Sequence, residues 1–270
     1  MPTDFLNQII KQKGREIAQG RKVIAEGRLA ELARQRTGFR PLSESLAKTA
    51  TGVNIIAEIK RASPSKGNIC EELDAAVAAA QYEAGGAAAV SVLTDSTYFK
   101  GHLDDLKAAR SACSLPVLRK EFIISRYQVY EAAVAGADAI LLIVRILNRE
   151  KLMQLYGLCQ ELGMDALVEI HNPEDADIVA ATDIRLVGIN NRNLATFETN
   201  IAVAMDLVSR LRPDQMPVAA SGITGPEDVR RNLSAGISNF LVGESIVRSA
   251  DPARFIGELK AAGNGAGSAP

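Results

Sequence analysis

The chain has 270 residues, 47% of them hydrophobic and 23% charged, a composition typical of a soluble globular protein with a sizeable core. Its 31 Lys and Arg residues balance 32 Asp and Glu residues, so there is no charge excess of the kind that attracts nucleic acid or a membrane surface. The longest apolar stretch, residues 137–144, is too short to cross a bilayer, and the charged N-terminus does not fit a signal peptide. We therefore expect a cytoplasmic protein.

The first predicted element is a helix over residues 4–35, where apolar side chains recur at three- and four-residue spacing. Asp4 is placed to cap its start. From about residue 52, eight short apolar runs alternate with helical segments. These predicted strands are 53–60, 88–94, 115–120, 138–144, 165–170, 184–190, 216–221 and 238–243.

Three glycines mark the period of this alternation. Gly86, Gly136 and Gly236 each stand between a helical segment and a strand, at intervals of 50 and 100 residues. A glycine there can take the left-handed conformation that ends a helix. Fifty residues correspond to two βα units, and eight such units predict a closed (β/α)8 TIM barrel of the α/β class. A doubly wound open sheet is the alternative, but no G-x-G-x-x-G follows the first strand.

The domain prediction is one barrel domain over residues 1–262. Within it, residues 1–48 form an N-terminal helical extension. Residues 263–270, rich in Gly, Ala and Ser, form a disordered tail.

Five of the predicted strands end in polar residues, which would be unfavourable inside a hydrophobic core. Because side chains alternate along a strand, Ile56, Glu58 and Lys60 share one face of the first strand. Active sites of barrels lie at the carboxyl ends of the strands. Carboxylates and lysines facing one cavity shift one another's pKa, as general acid–base catalysis requires. The candidate residues at the five strand ends are Glu58, Lys60, Lys120, Glu169, Asn190, Arg192 and Ser221.

The last two strand ends predict a phosphate site. Gly222 follows the seventh strand, and Gly243 with Glu244 follows the eighth at the start of a short helical segment. Barrels frequently bind phosphate through backbone N–H groups of these two loops. We therefore expect a phosphorylated small-molecule substrate.

Two further residues near strand ends have weaker assignments. Phe122 follows Lys120 and is a candidate for packing on an aromatic ring of the substrate. His171 could join Glu169 in a metal site, but the chain has only one other histidine, His102, so no metal site is predicted. The widely spaced Cys70, Cys113 and Cys159 predict free thiols.

Taken in order, a set of motifs resembles the indole-3-glycerol-phosphate synthase family. They are "IIAEIKRASPSKG", "SVLTDSTYFKG", "LPVLRKEFIISRYQVYEA", "LLIVRIL", "LVEIHN", "VGINNRNLATF", "SGI" and "FLVGESIVR", and the match covers most of residues 1–260. The resemblance implies a (β/α)8 barrel that converts 1-(2-carboxyphenylamino)-1-deoxyribulose 5-phosphate into indole-3-glycerol phosphate, releasing carbon dioxide and water. It also implies no metal and no organic cofactor. We expect a monomer.

The resemblance also assigns roles by motif. Lys120 matches the general acid for ring closure, Glu58, Lys60 and Glu169 match further catalytic groups, and Asn190 and Ser221 match polar positions of the catalytic site. Ser63, Phe122 and Arg192 match substrate-binding positions, and Gly222, Gly243 and Glu244 fall where the phosphate is held. The segment "RASPSKG" resembles a mobile loop that closes over the substrate. One position departs from the family: Ala220 stands where a glutamate often precedes the serine.

Three other functions stay open from the residues alone. The first is a flavin-dependent barrel that holds FMN in the same phosphate loops. The second is a non-catalytic barrel that binds a phosphorylated metabolite. The third is an aldolase that forms a Schiff base through Lys60 or Lys120.

Overall fold

Eight parallel strands close into a barrel in the computed structural model, which describes residues 3–47, 52–194 and 196–265. Around the barrel the order is β1-β8-β7-β6-β5-β4-β3-β2. This confirms the (β/α)8 barrel and excludes the open sheet. The strands are β1 Asn54–Ile59, β2 Ala89–Leu93, β3 Val117–Lys120, β4 Ala139–Ile143, β5 Asp165–Ile170, β6 Leu186–Asn190, β7 Met216–Ala220 and β8 Asn239–Val242.

Alternation along each strand divides the core into two parts. In β1, Ile56 points into the barrel, whereas Ile55 and Ala57 pack outward against the helices. The same alternation gives the barrel interior Leu118 and Leu167. Because both faces are covered, every residue of β1 is buried, as parallel sheets require.

In the described part of the chain, three helices precede β1, and at least one helix follows each strand of the barrel. Their bounds are α1 Thr3–Val23, α2 Glu26–Gln35, α3 Leu42–Ala47, α4 Ala75–Ala84, α5 Ser96–Phe99, α6 Leu103–Ala112, α7 Arg126–Ala135, α8 Arg149–Leu162, α9 Pro173–Ala180, α10 Ala202–Leu207, α11 Pro226–Leu233, α12 Glu244–Val247 and α13 Pro252–Ala261. Gly86, Gly136 and Gly236 have φ values of 80°, 101° and 86°, which confirms their predicted left-handed conformation.

The predicted single helix over 4–35 is wrong, because the chain breaks between α1 and α2. Ala25 is extended, with φ −65° and ψ 143°. After the break α2 packs on the barrel flank, where Arg36 Nη2 donates to the carbonyl of Gly136 over 3.0 Å. A straight helix could not follow the curved barrel surface in this way. The helix also begins at Thr3, so Asp4 lies in the first turn and is not its N-cap.

The amino end of the barrel is closed by α3, a helix that the sequence pattern did not predict. Leu42 and Leu46 are buried in the same cluster as the inward-facing strand residues. Asn54 Nδ2 at the start of β1 donates to the carbonyl of Leu46 over 2.6 Å. The amino end is therefore sealed, and any ligand must enter at the carboxyl end.

The first helix packs over loops at the carboxyl end. The Phe5 ring meets Tyr98 and Phe197 edge to face, at centroid distances of 5.2 and 5.3 Å. About two turns further along the helix, Lys13 Nζ lies 2.6 Å from Asp95 and 3.0 Å from Glu121. The N-terminal extension thus contributes directly to the end of the barrel where the site is expected.

Three other features complete the fold. The loop after β1 forms a small antiparallel hairpin that pairs Ala62–Ser63 with Gly67–Asn68. At the C-terminus, residues 262–265 form a single 3-10 turn, and the rest of the predicted tail, 266–270, lies outside the described residues. Among the residues that the structure describes, no helix is long and apolar enough to cross a membrane.

Candidate active site

Four charged side chains from three strand ends meet at the carboxyl end of the barrel. Lys60 Nζ lies 2.7 Å from Glu58 Oε1. Lys120 Nζ lies between two carboxylates, 3.8 Å from Glu58 Oε2 and 3.7 Å from Glu169 Oε2. All four side chains are at least four-fifths buried, so their mutual interactions are only weakly screened by water.

Pairing determines the protonation states of these groups. Burial by itself would raise the pKa of Glu169, but Lys120, His171 and Asn190 outweigh it and lower the pKa to about 2. Burial likewise opposes the charge on Lys120, yet Glu169 and Glu58 raise the pKa of this lysine above its ordinary value. The pKa of Glu58 is lowered, because Lys60 and Lys120 outweigh its burial. The site therefore holds ionised carboxylates around a charged ammonium group at neutral pH.

The end of β6 supplies an amide and a guanidinium. Asn190 Nδ2 donates to Glu169 Oε1 over 3.1 Å, which fixes the orientation of that carboxylate. Arg192 continues from the strand: its backbone N–H donates to Asn190 Oδ1, and its Nη1 donates to Ser65 Oγ over 3.1 Å. Arg192 therefore links β6 to the hairpin after β1, across the mouth of the barrel.

The loop after β7 has left-handed backbone at two successive residues. Ser221 has a φ of 68° and Gly222 a φ of 82°. A Cβ atom on Gly222 would stand 2.8 Å from Thr199 Cγ2 and 2.9 Å from Ile201 Cγ2, so only glycine fits there without a shift. Strained backbone of this kind concentrates at functional sites.

The loop after β8 packs directly against the Glu58 carboxylate. A Cβ atom on Gly243 would stand 2.6 Å from Glu58 Oε1. The Glu244 carboxylate turns toward Arg248 and accepts from its Nε over 3.1 Å. Ser245 Oγ donates to the carbonyl of Ile223, which ties the loops after β7 and β8 together. The backbone N–H groups at the start of α12 have no acceptor within the helix and remain available to an anion.

One cavity of about 620 Å³ receives all of these groups. All predicted site residues line it except Ser63, which is buried with its Oγ 3.4 Å from Ser65 Oγ. Phe122 forms part of an apolar wall with Phe99, at a ring distance of 6.2 Å. Ala220 also lines the cavity, with its methyl group pointing inward.

Several residues that line or support the cavity were not predicted from the sequence. Glu121 lies beyond the end of β3, where alternation no longer predicts which way a side chain points. Lys13, which binds Glu121, carried a usable signal because it falls between Ile9 and Ile17 on the apolar stripe of α1. Some of the other missed residues lie in loops or short helices without periodicity, among them Lys66, Phe99, Leu194, Thr199 and Arg248.

No metal centre is visible in the part of the chain that the structure describes. Across residues 3–47, 52–194 and 196–265, no group of three or more His, Cys, Asp or Glu side chains could hold a metal ion. The three cysteines are free thiols, with Cys113 and Cys159 buried.

A family model and several known proteins match almost the whole chain. The family model described as indole-3-glycerol phosphate synthase matches residues 6–259. A protein of that name from Desulfosudis oleivorans is 56% identical over 258 residues, covering 95% of this chain and 98% of the relative. Another, from Syntrophobacter fumaroxidans, is 48% identical and covers 95% of this chain and 97% of the relative.

Among solved structures, 3-hexulose-6-phosphate synthase from Salmonella typhimurium superposes with a TM-score of 0.60. The match covers 78% of this chain and 98% of that one, at 15% sequence identity. Identity this low shows a shared barrel fold only.

Proposed function

The chain belongs to the indole-3-glycerol phosphate synthase family, and we propose that the side chains around its cavity carry out that family's reaction. The enzyme is a lyase of tryptophan biosynthesis that closes a ring and releases carbon dioxide. Its substrate, 1-(2-carboxyphenylamino)-1-deoxyribulose 5-phosphate, yields indole-3-glycerol phosphate, carbon dioxide and water.

The catalytic roles are assigned from the position of Lys120, which lies between Glu58 and Glu169. Ring closure forms a bond between an aromatic carbon and a ketone carbon, so the ketone oxygen must gain a proton. Lys120 is charged and deep in the cavity, and it donates that proton. Its two carboxylate neighbours keep the ammonium group charged until the substrate arrives.

The later steps use the remaining charged groups. Loss of carbon dioxide returns the bonding electrons to the ring and restores its aromaticity. The new hydroxyl group then leaves as water with a proton from Lys60, and a carboxylate of the Glu58 and Glu169 pair accepts the proton from the adjacent carbon. Lys60 and Glu58, 2.7 Å apart, supply an acid and a base side by side.

Binding is divided between the two sides of the cavity. The backbone at Gly222, Gly243 and Glu244 binds the phosphate, supported by Arg248, which also lines the cavity. Phe122 packs on the aromatic ring of the substrate. Arg192, Asn190 and Ser221 contact its polar groups, and Ser63 acts through the hairpin after β1. Holding the flexible substrate folded in this way brings its two reacting carbons together.

Ala220 changes one element of this arrangement. Where a glutamate often stands in the family, this chain presents a buried methyl group to the cavity. The reaction then depends on the carboxylates of Glu58 and Glu169, and we expect activity with an altered rate or affinity.

We also propose the setting in which the enzyme works. It takes a phosphorylated small molecule as substrate, without metal or organic cofactor and without a nucleic-acid or membrane partner. Residues 1–262 act as a single barrel domain, in a monomer located in the cytoplasm.

The direct test is the conversion of the carboxyphenylamino-deoxyribulose phosphate into a fluorescent indole product by purified protein. Lys120→Ala should fold and lose nearly all turnover, whereas Lys107→Ala, at an exposed position of α6, should retain it. A well-folded parent protein that forms no product would overturn the proposed function. Full turnover by Lys120→Ala would overturn only the role of that lysine.

A further inference from the structure

His171, just beyond the end of β5, is a buried imidazole next to a proposed catalytic carboxylate. Its side chain is only 2% exposed. Nε2 lies 3.2 Å from Glu169 Oε1, and Nδ1 lies 3.8 Å from Asp175 Oδ2 at the start of α9. Within the described residues neither ring nitrogen forms a well-directed hydrogen bond. Buried polar atoms without a well-directed hydrogen bond are costly, so the position of this ring calls for a reason.

His171 also lines a second cavity, of about 200 Å³. Asn190 and Arg192 line both this cavity and the main one, and His171 lines only the second. The other lining groups are mostly polar, and Arg145 and Glu198 are exposed at the surface. His171 therefore both contacts Glu169 and lines a polar cavity that includes exposed residues.

The reaction itself requires a proton from outside the site. Two protons are donated, one to the ketone oxygen and one to the leaving hydroxyl group. One is returned, from the carbon next to the nitrogen. The substrate carboxylate leaves as neutral carbon dioxide, so each turnover consumes one proton, and one lysine must be reprotonated from solvent.

We propose that His171 relays this proton from the second cavity to the active site. Nδ1 takes up a proton from the cavity side, and Nε2 releases its own proton to Glu169 Oε1. Glu169 passes a proton on to Lys120 Nζ, 3.7 Å away, and is again a carboxylate. The inference rests on the proposed roles of Lys120 and Glu169. His171 acts through Glu169 and does not itself touch the substrate.

Charged groups from several elements of the fold lie close to the His171 ring. Glu169 faces it from β5 and Asp175 from α9. Arg145, from the turn after β4, and Arg192 with Glu198, from the segment after β6, line the cavity next to it.

The experiment compares His171→Asn and His171→Ala with the parent enzyme in imidazole-free buffer. Asn retains a polar side chain of similar shape but cannot accept a proton and pass another on. We expect kcat to fall about tenfold with KM nearly unchanged. The kcat–pH profile of the parent should also contain an ionisation that the Asn variant lacks.

Added imidazole should restore kcat of His171→Ala in a saturable manner. His102→Asn is the matched control, because His102 is the exposed N-cap of α6 and lies outside both cavities.

The outcomes separate the relay from the proposed function. An inactive parent enzyme refutes the function. An active parent with an equally active His171→Asn variant, showing an unchanged pH profile, overturns the relay. A loss of kcat that imidazole does not restore assigns the ring a packing role and also overturns it. If His171→Ala does not fold, kcat and the pH profile of the Asn variant decide alone.

Discussion

Glu58 Oε1 occupies space that a side chain on Gly243 would need, since a Cβ atom there would stand only 2.6 Å from it. Gly243 has φ −124° and ψ −73°, and the close approach of Glu58 opposes any side chain at this position. The same loop leads into α12, which supplies the proposed phosphate site. The proposed acid–base pair and the proposed phosphate site are therefore in mutual contact.

Gly243→Ala should displace the Glu58 carboxylate from Lys60 and lower kcat. We expect a fall of about 10- to 100-fold, in the range of a disturbed general acid–base pair. Steady-state kinetics on the carboxyphenylamino-deoxyribulose phosphate measure it. Gly157→Ala in α8 is the control, because nothing lies within 4 Å of its added Cβ. Equal kcat in the two variants would contradict the steric coupling.

Lys13→Met should destabilise the fold through the N-terminal helix. Lys13 is 1% exposed and neutralises Asp95 and Glu121, so the substitution leaves two buried carboxylates without this cation. Removing one partner from a buried ion pair costs about 3–5 kcal/mol. Urea unfolding followed by circular dichroism measures the free energy of unfolding. Lys11→Met, at an exposed position of the same helix, should lose little. Similar losses in both variants would contradict this account.

Ser65→Ala tests whether the hairpin after β1 is held over the site by Arg192. The base of the hairpin is fixed by Arg61, whose Nη2 donates to Asp105 Oδ1 over 2.8 Å, and its tip contacts Arg192 Nη1 over 3.1 Å. Loss of the tip contact, worth about 1 kcal/mol, should raise KM about fivefold and leave kcat nearly unchanged. Ser111→Ala, on the exposed face of α6, should leave both constants as they are. A KM equal to that of the parent would exclude a closing role for this contact.

The barrel could be predicted from the sequence because each strand carries its own signal. Strand β5 was predicted at its observed bounds, and the other strands differ by one or two residues at an end. Alternation also predicted that Ile56, Glu58 and Lys60 share a face, since two-residue periodicity follows from strand geometry alone. The sequence was therefore sufficient to predict the cavity-facing residues that lie at the ends of these strands.

The remaining features depend on contacts between distant segments. The contact of Arg192 with Ser65 joins residues far apart in the chain, and no local pattern encodes it. The break before α2 and the closing role of α3 follow from packing against the barrel, not from helix propensity. Ser63 shows the opposite case: a motif position suggested contact with substrate, yet the side chain lies outside the cavity lining.

The dependence of stability on pH should reveal the pairing of Glu169. Its pKa falls from 4.5 to about 2 on folding, because Lys120 and its other neighbours outweigh burial. A lowered carboxyl pKa stabilises the fold above pH 4.5, and this stabilisation is lost as the pH falls from 4.5 toward 2. Over that range the free energy of unfolding of the parent should fall more steeply than that of Glu169→Gln, by on the order of 2–3 kcal/mol. Urea titrations at successive pH values measure both slopes, with Glu150→Gln, at an exposed position of α8, as the control that follows the parent. Parallel slopes for the parent and Glu169→Gln would mean that Lys120 does not hold this carboxylate in its ionised form.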